Sequence, residues 1–285
     1  MIIDGKAYAL KIKEQLKIDV ADLRRVSQRP PCMVNVAIGG NHAIDAYVNS
    51  QRKAAEYIGI DYQMKELPGD ISPDDLGRVL RQMSDDPTID GIMIHKPVPA
   101  QIDYGRAGNQ MSPEKDLDGS HAVNLGRILL GEKGIVPCTA AAAMELILST
   151  GMPLRGKDAV VIGRSEIVGK PLALLLLQKS ATVTICHSGT SEAGKLAAHI
   201  SRADIVVAAI GRAEMIKGDW IKPGAVVIDV GINASASGGL VGDVEFKSAE
   251  QRAGFITPVP GGVGPVTAVI LMRNCVEAFK RHIAK

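Results

Sequence analysis

The chain has 285 residues, 46% of them apolar and 22% charged, with a formal net charge of +2. Its basic residues form no run, and three Phe, five Tyr and one Trp are too few for base-stacking platforms, so neither nucleic acid nor an anionic membrane is an expected partner. Cys32, Cys138, Cys186 and Cys275 lie far apart with no histidine at ligand spacing, so no metal centre and no disulfide framework are expected.

The first residues lack a basic stretch followed by an apolar one, and no later apolar run reaches membrane-spanning length. The expectation is a soluble protein of a reducing, cytoplasmic compartment. The length suits two domains of ordinary size. Leu10, Ile12, Leu16, Val20 and Leu23 recur mostly at three- and four-residue spacing, which predicts an amphipathic helix over 7–25. Arg29-Pro-Pro31 ends it, and 33–38 reads as a strand closed by Gly39-Gly40. A helix over 43–57 leads to Gly59 and a strand over 62–67. Ser72-Pro-Asp-Asp75 starts a helix that runs to 83, with a capping serine, proline at the first helical position and acids in the first turn. Residues 90–97 supply a third strand, 112–120 are polar and turn-rich, and Pro137-Cys-Thr139 opens a helix to 149.

From Asp158 a second series begins. Residues 159–162 read as a buried strand that stops at Gly163, and an apolar helix face follows over 168–178. Unpaired N–H groups at such a helix start suit a phosphate, although a serine, Ser165, stands where the G-x-G-x-x-G pattern has glycine. A tight turn in any α/β domain would look the same. Further strands are expected over 182–186, 204–210 and 225–230, with a helix over 191–202 between the first two of these, giving the βαβαβ order of a dinucleotide-binding half. Thr257-Pro-Val-Pro-Gly-Gly-Val-Gly-Pro265 reads as a rigid loop and 267–283 as a terminal helix. The alternation of strand and helix predicts an α/β protein with a mainly parallel sheet in each half.

Ile3-Asp-Gly-Lys6, Tyr47-Val48 followed by Arg52-Lys53-Ala54, Lys115-Asp-Leu-Asp-Gly119, Pro137-Cys-Thr139, Gly163-Arg-Ser165 with Val168-Gly169, Val227-Ile-Asp-Val-Gly-Ile232 and Pro258-Val-Pro-Gly-Gly-Val-Gly-Pro265 occur in order. Together they resemble the methylenetetrahydrofolate dehydrogenase/cyclohydrolase family. The resemblance implies a folate domain (1–138 plus 267–285) and a Rossmann-type NADP domain (139–266), a cleft between them, a last helix returning to the first domain, and a homodimer. It assigns cofactor binding to Gly163, Arg164, Ser165, Val168, Gly169, His187, Ser188 and Ile232. The second strand of the nucleotide half ends in His187-Ser188 with no acid for a ribose 2′-OH, while Arg164 offers a forked guanidinium, so NADP is expected rather than NAD. Arg164 as a plain exposed turn residue is the alternative.

For the substrate the resemblance assigns Tyr47, Gln51, Ile94, His95, Lys96, Asp118, Pro260, Gly261, Gly262, Gly264 and Thr267, with Tyr47, Gln51 and His95 at the catalytic positions. An ionised Asp118 can accept two N–H bonds from an aminopyrimidinone edge, whereas Asp116 and Lys115 read as structural. Three positions depart from the family pattern: Gln51 stands where the family has its catalytic lysine, His95-Lys-Pro-Val-Pro99 replaces Q-L-P-L-P, and Ile44 replaces a serine. Arg52 and Lys53 lie about 140° and about 240° round the helix from Tyr47 and do not substitute. Hydride removal from 5,10-methylenetetrahydrofolate moves no proton and is positioning work, whereas cyclohydrolase chemistry delivers and removes protons, which an amide cannot do. The expectation is therefore dehydrogenase activity with weak or absent cyclohydrolase activity. The alternatives are a full bifunctional enzyme using His95 or Lys96, a relative acting on another pterin or a cyclic imine, and a catalytically silent binding protein.

Overall fold

The computed structural model describes residues 1–40, 45–235 and 238–284, with 45–47 described by their backbone alone. The Ile44 position and the Tyr47 side chain therefore lie outside the described residues, as does the expected helix start at 43. Contacts divide the chain into two compact units, one of Leu10–Arg127, Glu132–Val136 and Ala268–Lys285, the other of Met1–Ala9, Ile128–Gly131 and Pro137–Thr267.

The first of these is built from α1 (Gly5–Ser27), β1 (Cys32–Ile38), α2 (Asp45–Ile58), β2 (Asp61–Leu67), α3 (Pro73–Asp85), β3 (Gly91–Ile94), α4 (Tyr104–Gly108) and α5 (Ala122–Leu130). Its parallel sheet has the order β2-β1-β3. Val34, Val36 and Ile38 of β1 alternate onto one face and pack with Leu76, Leu80 and Met83 of α3. Ser72 caps α3, its Oγ accepting the Asp75 amide at 3.1 Å, with Pro73 in the first turn.

The second unit follows with α6 (Cys138–Ser149), β4 (Asp158–Ile162), α7 (Gly169–Gln178), β5 (Thr182–Cys186), α8 (Ser188–Glu192), α9 (Leu196–Ile200), β6 (Ile205–Ala208), β7 (Val226–Asp229), β8 (Asn233–Ala234), β9 (Leu240–Val241), α10 (Phe246–Glu250) and β10 (Phe255–Ile256). Its main sheet is parallel, in the order β10-β7-β6-β4-β5. The chain runs from β4 outward to β5 and then crosses to β6 on the other side. That reversal opens a crevice at the carboxyl ends of β4 and β6, where doubly wound sheets bind ligands.

The last helix, α11 (Val263–Ile283), returns to the first unit. Asn274 Nδ2 donates to Leu117 O at 2.9 Å. His282 Nδ1 lies 2.8 Å from Asp90 Oδ1, and Asp90 also takes two guanidinium bonds from Arg29, at 2.6 and 2.9 Å. At the amino terminus Ile3 N donates to Ile256 O at 2.8 Å and Ile256 N to Met1 O at 3.0 Å, so residues 1–9 group with the second unit.

Several expected elements differ. The helix over 191–202 is two short helices, α8 and α9, because Gly194 adopts φ +67° and ends the first. The strand expected over 90–97 stops at Ile94. The terminal helix begins at Val263, so Gly264 and Pro265 lie in its first turn rather than in a loop; proline fits there because first-turn N–H groups have no helical partner. Helices α4 and α5 fall where the sequence reading assigns no element. Among the described residues no helix is long and apolar enough to cross a membrane.

Candidate functional site

The turn after β4 is shaped by two glycines. Gly163 has φ +129°, and a Cβ there would come 2.3 Å from Ala209 O; a Cβ at Gly169 would come 2.1 Å from Gly163 O. The approach of the segment after β6 therefore demands glycine at 163, and the approach of α7 to the turn demands it at 169. Ser165 and Val168 support this turn: Ser165 O accepts the Lys170 amide at 3.1 Å and Val168 O that of Leu172 at 3.0 Å. At the end of β5, His187 begins α8, its Nδ1 accepting the Gly189 amide while its own N–H donates to Thr190 Oγ1, both at 3.2 Å.

Between these segments lies a cavity of about 310 Å³ lined by Gly163, Arg164, His187 and Ser188, together with Ser191 and Arg212, which sequence reasoning missed. Ile162 and Ala209 close its base at the ends of β4 and β6, so the cavity occupies the switch point. Among the described residues that line it there is no carboxylate. The strand carrying Ala209 and Ile210 into it is fixed by Asp243, which is fully buried and accepts the amides of Ile210, Gly211 and Arg212 at 2.7, 3.1 and 2.8 Å. Asp229 in turn accepts the Asp243, Val244 and Gly231 amides at 2.9, 2.8 and 3.0 Å. Burial outweighs those amides and pushes the Asp229 carboxyl up to about 6.

Ile232 does not join that cavity. It lines a second one, of about 180 Å³, with Lys6, Asp229, Pro260, Gly261, Gly262 and Gly264. Thr267 stands outside both, and its Oγ1 donates back to Val263 O at 3.2 Å. The proline-glycine loop thus shares a compact unit with the Gly163 turn.

The other candidate residues sit in the first unit. Gln51 on α2 is fully buried; its Oε1 accepts the Tyr62 hydroxyl at 3.2 Å and its Nε2 lies 3.8 Å from Met93 Sδ. Register pairs Asn35 with Met64 and with Met93, so Asn35, Tyr62, Met64, Met93 and His95 share one sheet face. His95 is buried and its N–H donates to Val36 O at 2.9 Å, extending the ladder past β3; burial lowers its imidazole below the ordinary value. Ile94 turns the other way, into the core against α3. Asn35 was not singled out by sequence, yet it is fully buried with neither amide atom hydrogen-bonded among the described residues. A polar residue between Val34 and Val36 in an apolar strand is the signal that could have found it.

Asp118 lies on the turn between α4 and α5. Tyr104 donates its hydroxyl to Asp118 Oδ2 at 2.9 Å, and Lys96 Nζ stands 3.7 Å from the centre of the Tyr104 ring. Asp116 is buried and accepts the Gly119 and His121 amides at 3.1 and 2.8 Å and Asn124 Nδ2 at 3.1 Å; burial pushes it up to about 6. Lys115 Nζ donates to Asp86 O at 2.6 Å and Met83 O at 3.3 Å. Asp116 thus closes the turn that presents Asp118, and Lys115 ties it to the end of α3.

The chain matches two family models: Tetrahydrofolate dehydrogenase/cyclohydrolase, catalytic domain, over residues 3–118, and Tetrahydrofolate dehydrogenase/cyclohydrolase, NAD(P)-binding domain, over residues 137–283. The Bifunctional protein FolD of Geotalea uraniireducens is 48% identical over 281 residues, 99% of each chain. The solved structure of the bifunctional enzyme FolD, methylenetetrahydrofolate dehydrogenase/cyclohydrolase, from Campylobacter jejuni is 37% identical, with a TM-score of 0.95 and 99% of both chains covered. The Trypanosoma brucei N5,N10-methylenetetrahydrofolate dehydrogenase-cyclohydrolase, solved with NADP cofactor and an inhibitor, is 39% identical, with a TM-score of 0.94 over 100% of this chain and 99% of that one.

Proposed function

Since the chain belongs to the tetrahydrofolate dehydrogenase/cyclohydrolase family, we propose that it oxidises 5,10-methylenetetrahydrofolate to 5,10-methenyltetrahydrofolate with NADP. The observation that carries this reading is the cavity at the switch point, with Arg164, Arg212, His187 and Ser188 on its walls and no carboxylate among them. A ribose 2′-OH wants an acid there; a 2′-phosphate wants guanidinium groups and hydroxyl donors, which this wall supplies. The fit of the residues to NADP is therefore good. When bound, NADP supplies the hydride acceptor.

The protein's part is to hold the substrate. Asp118 accepts the N–H groups of the aminopyrimidinone edge, and Gln51 on α2, at the family's lysine position, faces the reacting carbon. The carbon that loses hydride is flanked by two nitrogens whose lone pairs stabilise the resulting cation. No residue has to take a proton in this step.

The names of the relatives carry both activities and favour a chain that also hydrolyses the methenyl product. The expectation of weak or absent cyclohydrolase activity finds no support in those names and rests on Gln51 alone. A buried amide held by Tyr62 and Met93 offers no proton at neutral pH. In the two-activity reading the proton work falls to His95, which burial makes a weaker base than an ordinary imidazole, or to the exposed Lys96.

One assay separates the readings: purified protein with methylenetetrahydrofolate and NADP, following NADPH and methenyl-folate separately. Absence of NADPH formation would overturn the dehydrogenase and leave a relative acting on another pterin or cyclic imine, or a silent binding protein. Methenyl-folate that disappears much faster with enzyme than in buffer selects the two-activity reading.

A further inference from the structure

Lys96 and Asp118 come from separate segments, and a side chain outside both motifs touches the two of them. Tyr104 opens α4, a short helix capped by Asp103, whose Oδ1 accepts the Arg106 amide at 2.9 Å. From that fixed base the half-buried ring reaches Asp118 Oδ2 with its hydroxyl at 2.9 Å and carries Lys96 Nζ 3.7 Å from its centre. Burial, and then the Asp118 charge, raise the hydroxyl above its ordinary range, so it remains a donor at any working pH.

We propose that Tyr104 is a positioning residue of the pterin site, aiming the Asp118 carboxylate through one hydrogen bond and holding the Lys96 ammonium over its ring. The proposal rests on the reading of Asp118 as the pterin-binding carboxylate. A free aspartate rotates about its last torsion, and a ligand that needs both oxygens in one plane must stop that rotation on binding. The Tyr104 hydroxyl uses one lone pair of Oδ2 and sets the plane. Oδ1 and the second lone pair of Oδ2 remain for two substrate N–H groups. The cation over the ring draws electron density from the phenol and strengthens its O–H donation, so Lys96, Tyr104 and Asp118 act as one unit: cation, ring and anion in series.

The test compares Tyr104→Phe, which keeps the ring and the cation contact and removes only the hydroxyl, with Tyr104→Leu, which removes both. Tyr104→Phe is expected to raise the KM for methylenetetrahydrofolate about tenfold, the size of one hydrogen bond to a charged group. Its kcat, its KM for NADP and its melting temperature stay near those of the unaltered chain. Calorimetric binding of tetrahydrofolate, read without turnover, weakens by the same factor. Tyr104→Leu weakens it further, because the ring and its contact with Lys96 Nζ are lost as well. An unchanged folate KM in Tyr104→Phe overturns the proposal, as does a loss spread equally over both substrates and thermal stability. Asp118→Asn distinguishes the failures: if it leaves tetrahydrofolate binding intact, the reading of Asp118 falls first, whereas weak binding there with normal binding in Tyr104→Phe removes Tyr104 alone.

Discussion

Tyr62 donates its hydroxyl to Gln51 Oε1 at 3.2 Å, and the bond decides which way the amide faces, leaving Nε2 toward Met93 Sδ. The residue at the family's lysine position is thus tied from α2 to β2 and β3 of the neighbouring sheet rather than carrying a mobile charge.

Gln51→Lys should therefore supply a missing proton-transfer group. Under the dehydrogenase reading the substitution raises methenyl-folate hydrolysis roughly 10²-fold, the low end of general acid–base contributions. Oxidation of methylenetetrahydrofolate changes far less. Separate absorbance time courses for the two steps check this, and hydrolysis that stays at the buffer rate would sink the argument from the missing lysine.

Arg164→Ala removes a guanidinium from the wall of the switch-point cavity. The expected result is a KM for NADP raised at least about tenfold, as for loss of a hydrogen bond to a charged partner. The KM for NAD, which lacks the 2′-phosphate, moves little. Steady-state kinetics with both cofactors decides it; equal losses for the two would show that Arg164 serves the turn rather than the phosphate.

Asn35→Leu replaces two unbonded buried polar atoms with methyl groups of similar volume. Leaving such a group unsatisfied costs about 1–3 kcal/mol, so the variant gains about 1 kcal/mol after allowance for imperfect packing. Its melting temperature rises by about 2–4 °C. A fall in thermal stability would mean that Asn35 is hydrogen-bonded in solution.

The carboxyl of Asp229 is raised from 3.8 to about 6 in the folded chain. Between those values the folded state binds more protons than the unfolded state, so stability falls as pH rises. The contribution is fully present below about pH 4 and lost above about pH 6. Relative to Asp229→Asn, the unaltered chain loses about 3 kcal/mol of stability from pH 4 to pH 7. Urea unfolding of both at each pH measures the difference, and a pH-independent gap would refute it.

Local signals were readable where the determining atoms are neighbours in sequence. The Ser72 cap, Pro73 in the first turn of α3 and the tight turn at Gly163 each depend on a few residues, and each forms. The break at Gly194 was not readable, because a glycine inside an apolar helical pattern is tolerated until packing makes use of it. The remaining site residues owe their meaning to distant partners. Tyr104 meets Asp118 across 14 residues, and Arg212 N meets Asp243 across 31. Asn35 shows in the sequence as a polar residue between Val34 and Val36, but that Met64 and Met93 flank it emerges only with the sheet register. The order β10-β7-β6-β4-β5 likewise had to be seen before the pocket at the reversal could be located.

The interleaving of the two units has a consequence for synthesis. Residues 1–3 pair with a strand completed only at Ile256, and the segment bearing Asp118 receives a hydrogen bond from Asn274, near the end of the chain. No single cut yields both units whole. A ribosome making this protein therefore cannot finish one half and move on to the next: the half that begins first must wait, incomplete, for the last helix to emerge.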